Sequence, residues 1–155
     1  MAYESLKRQL GTKYETSTDE YAFGWLDLNP IRHAHMLNQL SSIYLTNLDV
    51  LDELDNIKIC KRYKIAGKMT EAGTMTPEIE VEGIHPTIIS DFENLTPVYK
   101  EMKGWKKDIT EIEDFDLLPE NCKSMIKDIE KGTGVPIKYI SVNSEEDEGL
   151  LRIIR

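Results

Sequence analysis

Cysteine is scarce in this chain, and the little there is does not cluster. Cys60 and Cys122 are the only two in 155 residues, and neither belongs to a Cys-x-x-Cys pair. That spacing excludes a disulfide framework and leaves two reduced, buried thiols as the reading, with a reactive thiol as the alternative. A surplus of positive charge is missing too. The formal net charge is −9 and the pI is about 4.9, whereas nucleic-acid affinity comes chiefly from cations that neutralise phosphates. DNA and RNA are therefore excluded as partners. Nor is there an apolar run long enough to span a bilayer, and the opening stretch Met1-Ala2-Tyr3-Glu4-Ser5-Leu6-Lys7 lacks the apolar core of a secretory signal. No membrane partner and a cytoplasmic setting follow as expectations.

Metal-ligand spacing and a phosphate loop are also missing. His33 and His35 lie two apart on a helix-like segment and so point to different faces, and His85 has no companion at ligand spacing. The acidic run Glu111-Ile112-Glu113-Asp114-Phe115-Asp116 lacks the spacing and turn glycine of an EF-hand, so it reads as a solvated face. No Gly-rich loop is available to cradle a nucleotide phosphate. No metal and no catalytic residue are expected from these residues alone.

What is present is the composition of a soluble globular protein, 40% hydrophobic and 30% charged. At this length residues 1–155 form a single domain that buries about two-thirds of its unfolded surface. Residues 1–10 carry Leu6 and Leu10 one turn apart and read as a helix closed by Gly11; residues 12–20 read as a loop. Asn29-Pro30 predicts a helix N-cap with a first-turn proline, and the helix then runs to Gln39 or Leu40. Ile43 to Leu45 reads as a short buried strand, and Ile57-x-Ile59-x-x-x-Tyr63-x-Ile65 as a longer one with basic residues on its other face. Between residues 68 and 96, Gly73, Pro77, Gly83 and Pro86 break the pattern, leaving Ile79 and Val81 as an edge strand. Pro119 opens a helix with Cys122, Ile126 and Ile129 on one stripe and Gly132 as its C-cap, and a strand from Ile137 to Ser141 follows. A second acidic loop, 144–148, precedes a last apolar run from Leu150 to Ile154. Trp25 and Trp105 sit at Gly-Trp corners as packing anchors, each able to bury about 200 Å².

Alternating strands and helices predict an α/β fold, with α+β as the alternative: a partial, mostly parallel sheet with flanking helices. One segment bears on function. Leu45-Thr46-Asn47-Leu48-Asp49-Val50-Leu51-Asp52 is an apolar run that delivers a carboxylate to the end of a strand, the place where open α/β sheets bind ligands.

Several such segments resemble one family. Gly24-Trp25-Leu26-Asp27, Leu37-Asn38-x-Leu40-Ser41 and the Leu45–Asp52 run look like the C-terminal third of adenylosuccinate synthetase, as do Pro97-Val98-Tyr99-x-x-Met102-x-Gly104-Trp105, Thr133-Gly134-Val135-Pro136-Ile137 and Ile140-Ser141. They follow the family's order from about Gly11 to the C-terminus. The resemblance implies a ligation of inosine monophosphate and aspartate, driven by GTP and assisted by magnesium, whose phosphate loop and catalytic aspartate and histidine lie in the first part of a longer chain. The family reads Thr-Lys-Leu-Asp where this chain has Thr46-Asn47-Leu48-Asp49. By resemblance Asp49 accepts two hydrogen bonds from the guanine edge, whereas Asn47 replaces the lysine whose stem covers the ring. A second guanine-contacting turn, Ser-Thr-Gly-Pro, is Ser141-Val142-Asn143-Ser144 here, so Ser141 matches and Asn143 does not. The substrate loop Gly-Thr-Thr-Thr-Gly-Arg-x-Arg-Arg corresponds to Glu15-Thr16-Ser17-Thr18-Asp19-Glu20-Tyr21-Ala22-Phe23. The hydroxyls of Thr16, Ser17 and Thr18 remain; the arginines are gone. Asp19 and Glu20 reverse the charge there, and each like-charge approach costs roughly 4 kcal/mol at an effective dielectric of 20.

Each of these residues has a plainer reading. Asp49 also reads as a cap on the turn that follows its strand, Ser141 as a hydroxyl bonded to its own backbone, and Thr16, Ser17 and Thr18 as an ordinary loop. Three functions stand as expectations. The leading one is a non-catalytic protein acting through protein–protein association, a partner or a second copy covering the sheet, with no cofactor of its own. The others are one subunit of a split synthetase, which alone would imply GTP and magnesium, and a guanine-nucleotide sensor using Asp49.

Overall fold

The structure, a computed structural model, describes residues 24–83, 94–142 and 152–154. Residues 1–23, which hold the expected N-terminal helix and Thr16, Ser17 and Thr18, lie outside the described residues, as do Asn143 and the second acidic loop.

The first described elements are a two-residue strand, β1 (Leu26–Asp27), and helix α1 (Leu28–Asn38). The N-cap is Asp27 and not Asn29: the Asp27 carboxylate accepts from the Asn29 N–H at 2.9 Å. Pro30 still falls in the first turn, where helical N–H groups have no carbonyl to meet. Gln39, in the left-handed region at φ 51°, closes the helix. After β2 (Ile43–Leu45) comes a 3₁₀ turn, Leu48–Leu51, and then the ten-residue β3 (Asn56–Ile65). Strand β4 (Ile79–Val81) is the expected edge strand, and β5 (Leu95–Lys103) is a long strand absent from the sequence reading. A second 3₁₀ turn, Phe115–Leu117, leads to α2 (Glu120–Thr133), and β6 (Ile137–Ser141) and β7 (Arg152–Ile154) complete the order.

The α/β character is present, and the pairing is mixed. Among the described residues the strands form two sheets with two parallel ladders, β1 to β3 and β2 to β6, and three antiparallel ones. The expected strands with flanking helices are present, and their pairing is mixed where a mostly parallel sheet was expected. In the larger, β1 and β4 share one edge of β3 while β5 runs along the other. The basic residues expected on the outer face of β3 form ladders: Arg62 reaches Glu80 at 3.2 Å and Glu82 at 3.0 Å, and Lys64 reaches Glu78 at 3.1 Å. Exposed pairs of this kind contribute about 0–1 kcal/mol each.

Helix α2 buries the stripe Cys122, Met125, Ile126, Ile129 and Thr133, the first four in one core cluster with residues of β3 and β6. Burying each large apolar side chain contributes about 1.5–3 kcal/mol. The helix stops at Gly134, φ 77°, so Gly134 and not Gly132 is the C-cap. Gly132 instead permits the crossing of the two helices: a Cβ there would stand 2.4 Å from Leu28 Cδ1. Leu28, Ile59, Ile126, Ile129, Ile137 and Ile140 are the centre of one continuous core. Trp105 is buried in it and Trp25 packs against it, so both act as anchors.

Candidate functional site

Parallel pairing places side by side the two strand ends that carry Asp49 and Ser141. In the β2–β6 ladder Leu45 stands opposite Ile140, so both strands end at the same edge, one leading to Thr46 and Asn47 and the other ending in Ser141. Carboxyl ends of neighbouring parallel strands are where open α/β sheets bind ligands. The 3₁₀ turn carrying Asp49 packs against β6. Asp49 is half-buried on this rim, whereas Ser141 is fully buried.

Asn47 makes the bend. Its backbone is left-handed at φ 55°, ψ 43°, a conformation asparagine tolerates better than most residues. Leu48, 2% exposed, pins the turn into the core. Three backbone bonds then carry the chain round: Val50 N–H to Asn47 O at 3.4 Å, Asp52 N–H to Asp49 O at 3.0 Å, and Leu54 N–H to Leu51 O at 3.1 Å.

Asp52 is the residue that sequence reasoning missed. Its carboxylate, 9% exposed, accepts from the Trp105 indole N–H at 2.5 Å and from the Ile109 N–H at 3.0 Å. Burial raises its pKa above the ordinary value, the two hydrogen bonds oppose that, and the nearby Asp108 and Asp49 charges add to it. A buried tryptophan needs a partner for its indole N–H, which was the available signal. The partner, however, lies 53 residues away in sequence.

A second buried polar cluster joins α1 to β1 and β3. Asn29, fully buried, donates to Asp27 Oδ1 at 2.9 Å and accepts from the Gly83 N–H at 2.7 Å. The Arg32 guanidinium donates to Asn29 Oδ1 at 3.0 Å, to the Lys61 carbonyl at 2.6 Å and to the Gly132 carbonyl. The Tyr63 hydroxyl donates to Asp27 Oδ2. Burial, then Asp27, pushes the Tyr63 hydroxyl well above its usual pKa, and the same two causes push Cys60 up to about 11. These groups hold their protons at neutral pH and brace the fold.

Among the described residues no group of three His, Cys, Asp or Glu side chains could hold a metal ion. Asp114 in the acidic run caps the second 3₁₀ turn, accepting from the Asp116 N–H at 2.9 Å. Among the described residues, no helix is long and apolar enough to cross a membrane.

Comparisons with known proteins identify a family. A family model described as adenylosuccinate synthetase matches residues 3–150. The adenylosuccinate synthetase of Trichlorobacter lovleyi is 37% identical over 145 residues, covering 93% of this chain and 31% of the relative. That of Borrelia duttonii is 35% identical over 146 residues, covering 94% and 31%. Among solved structures, a fully ligated adenylosuccinate synthetase from Plasmodium falciparum superposes with a TM-score of 0.76 at 33% identity, covering 98% of this chain and 33% of that one. The chain thus spans about a third of the length of the relatives it matches.

Proposed function

The chain belongs to the adenylosuccinate synthetase family, and on that premise we propose that these residues act as a non-catalytic module that works by associating with another polypeptide. The observation that carries this reading is the carboxyl edge of β2 and β6. Asp49 follows one strand end and Ser141 closes the other, while Asn47 stands where the family motif has a lysine. A short neutral side chain can neither cover a purine face nor attract its phosphates. The sequence places Asp19 and Glu20 where the family loop has arginines, which turns an anion-binding loop into an anion-repelling one. Phosphate binding and ligation chemistry are thus left to groups outside these residues.

Association is supported by the surface of the smaller sheet. Parallel strands are ordinarily covered on both faces. Here Tyr44 and Tyr139, opposite each other in the ladder, pack edge to face at 5.9 Å and remain 41% and 40% exposed. Among the described residues β2 pairs only with β6, and an open strand edge is a ready site for pairing. The decisive assay supplies the pure protein with GTP, inosine monophosphate, aspartate and magnesium. No adenylosuccinate is expected, and turnover would overturn the reading. Light scattering across a concentration series, alone and with candidate polypeptides, should show association; a monomer that captures nothing would contradict it.

A second reading is favoured by Asp49 and Ser141 lying at neighbouring strand ends: selective binding of a guanine nucleotide. Two charge-assisted hydrogen bonds to the base edge contribute roughly 1.5–3 kcal/mol each before desolvation. Calorimetry with GTP, GDP and ATP tests it, and equal affinities would end it. The same rim would serve one subunit of a split synthetase, in which a companion polypeptide supplies phosphate binding and magnesium. Activity confined to the mixture would identify that arrangement.

A further inference from the structure

We infer that Asp52 is a positioning residue for the base-contacting carboxylate of Asp49, acting as a clamp between the 3₁₀ turn and the loop that follows β5. The inference rests on the guanine reading of Asp49 and adds the residue that determines its specificity. The carboxylate and the backbone of Asp52 bond different segments. Both carboxylate oxygens are occupied by the loop, one by Trp105 Nε1–H at 2.5 Å and the other by the Ile109 N–H at 3.0 Å. Its own N–H donates to the Asp49 carbonyl at 3.0 Å. The backbone of Asp49 is therefore tied through one residue to two donors buried at 8% and 0% exposure. The other end of the turn is held by Leu48 in the core, so Asp49 lies between two fixed points.

The residue types fit this role. An apolar side chain at position 52 would leave two buried N–H donors unsatisfied, and unmade bonds of that kind are costly. A carboxylate accepts both at once, and the donors neutralise a charge that would otherwise press on Asp49, three residues away. Accurate presentation of a recognition group depends on the shell behind it.

Two variants test the clamp. Asp52→Asn keeps the size but turns an amide N–H toward the Ile109 N–H, and Trp105→Phe removes one donor while keeping an aromatic ring in the core. Amide hydrogen exchange is read first, without nucleotide. The amides of Val50, Asp52 (or its replacement) and Leu54 should exchange at least tenfold faster in the variants, with the β3–β5 amides unchanged. Next, the ratio of GTP to ATP affinity should fall at least tenfold. Unchanged turn exchange in folded variants overturns the clamp, and so does faster exchange with the nucleotide ratio intact. Equal GTP and ATP affinity in the unsubstituted chain overturns the guanine reading itself, and the exchange arm still decides the clamp.

Discussion

A Cβ on Gly104 would lie 1.8 Å from the carbonyl oxygen of Leu54, and the Gly104 N–H donates to the Asp55 carbonyl at 2.8 Å. The end of β5 is thus pressed against the backbone that enters β3, where only glycine fits. Backbone cannot yield as a side chain can, so Gly104→Ala should destabilise the fold by about 3 kcal/mol or more. Gly132→Ala makes the contrast. Its Cβ would crowd the terminal Cδ1 of Leu28, with Arg32 and Leu28 Cγ at ordinary contact distance, and alanine favours helix, so a net loss of about 1 kcal/mol is expected. Urea unfolding of both variants checks the order, and equal losses would refute it.

The Arg32 side chain bonds α1, β3 and α2 together. Lys61 is skipped where the β3–β5 register shifts, and its carbonyl accepts from Arg32 instead. A lysine lacks the planar fork needed for the Asn29, Lys61 and Gly132 acceptors at once. Arg32→Lys should cost about 2 kcal/mol, as more than one half-buried hydrogen bond is lost. Thermal unfolding tests this, and a cost near zero would show that water replaces the fork.

The Asp52 carboxyl has its pKa raised in the folded state, mainly by burial. A raised acid binds its proton more tightly when folded. Its contribution to stability is therefore fully present below the ordinary value of 3.8 and is lost as pH rises through the raised value. Subtracting the stability-versus-pH curve of Asp52→Asn from that of the unsubstituted chain should isolate this downward slope. A rising slope in that difference would mean that the Trp105 and Ile109 bonds outweigh burial.

Asn47→Lys tests how much of the base site remains. Lysine in the left-handed region costs about 1 kcal/mol of stability, while its stem would again cover a base held at Asp49. Guanine-nucleotide affinity should rise at least tenfold by calorimetry, with adenine-nucleotide affinity changed less. A stable variant with no gain would assign Asp49 to the turn alone.

Both thiols should be inert in the native protein. Burial, with Asp27 adding for Cys60 and Asp52 for Cys122, pushes them up to about 11 and about 12. Since the thiolate is the reactive form, iodoacetamide at pH 8 should label neither until denaturant is added. Rapid native labelling of either would contradict the buried geometry.

The elements legible in the sequence are those whose periodicity is unbroken. The α2 stripe and the alternation of Ile57 and Ile59 in β3 both place apolar side chains in the core. Strand β5 escaped because its half-buried positions, Leu95, Val98 and Met102, keep no period of two and straddle the register shift against β3. The helix ends were ambiguous for a related reason. Asp27 and Asn29 are both capping types, as Gly132 and Gly134 are both helix-ending types, and tertiary contacts chose between them.

The sequence by itself determined the family, through ordered motifs spread along the chain, and the α/β character, through local periodicity. It also placed Asp49 and Ser141 at the ends of their strands. Only the tertiary structure decided that those ends lie side by side, that the sheets are two and mixed, and that Asp52 anchors the turn through Trp105. Periodicity and capping are properties of neighbouring residues, whereas the pairing of distant strands and of a buried carboxylate with a distant indole depends on what the folded core can satisfy at once.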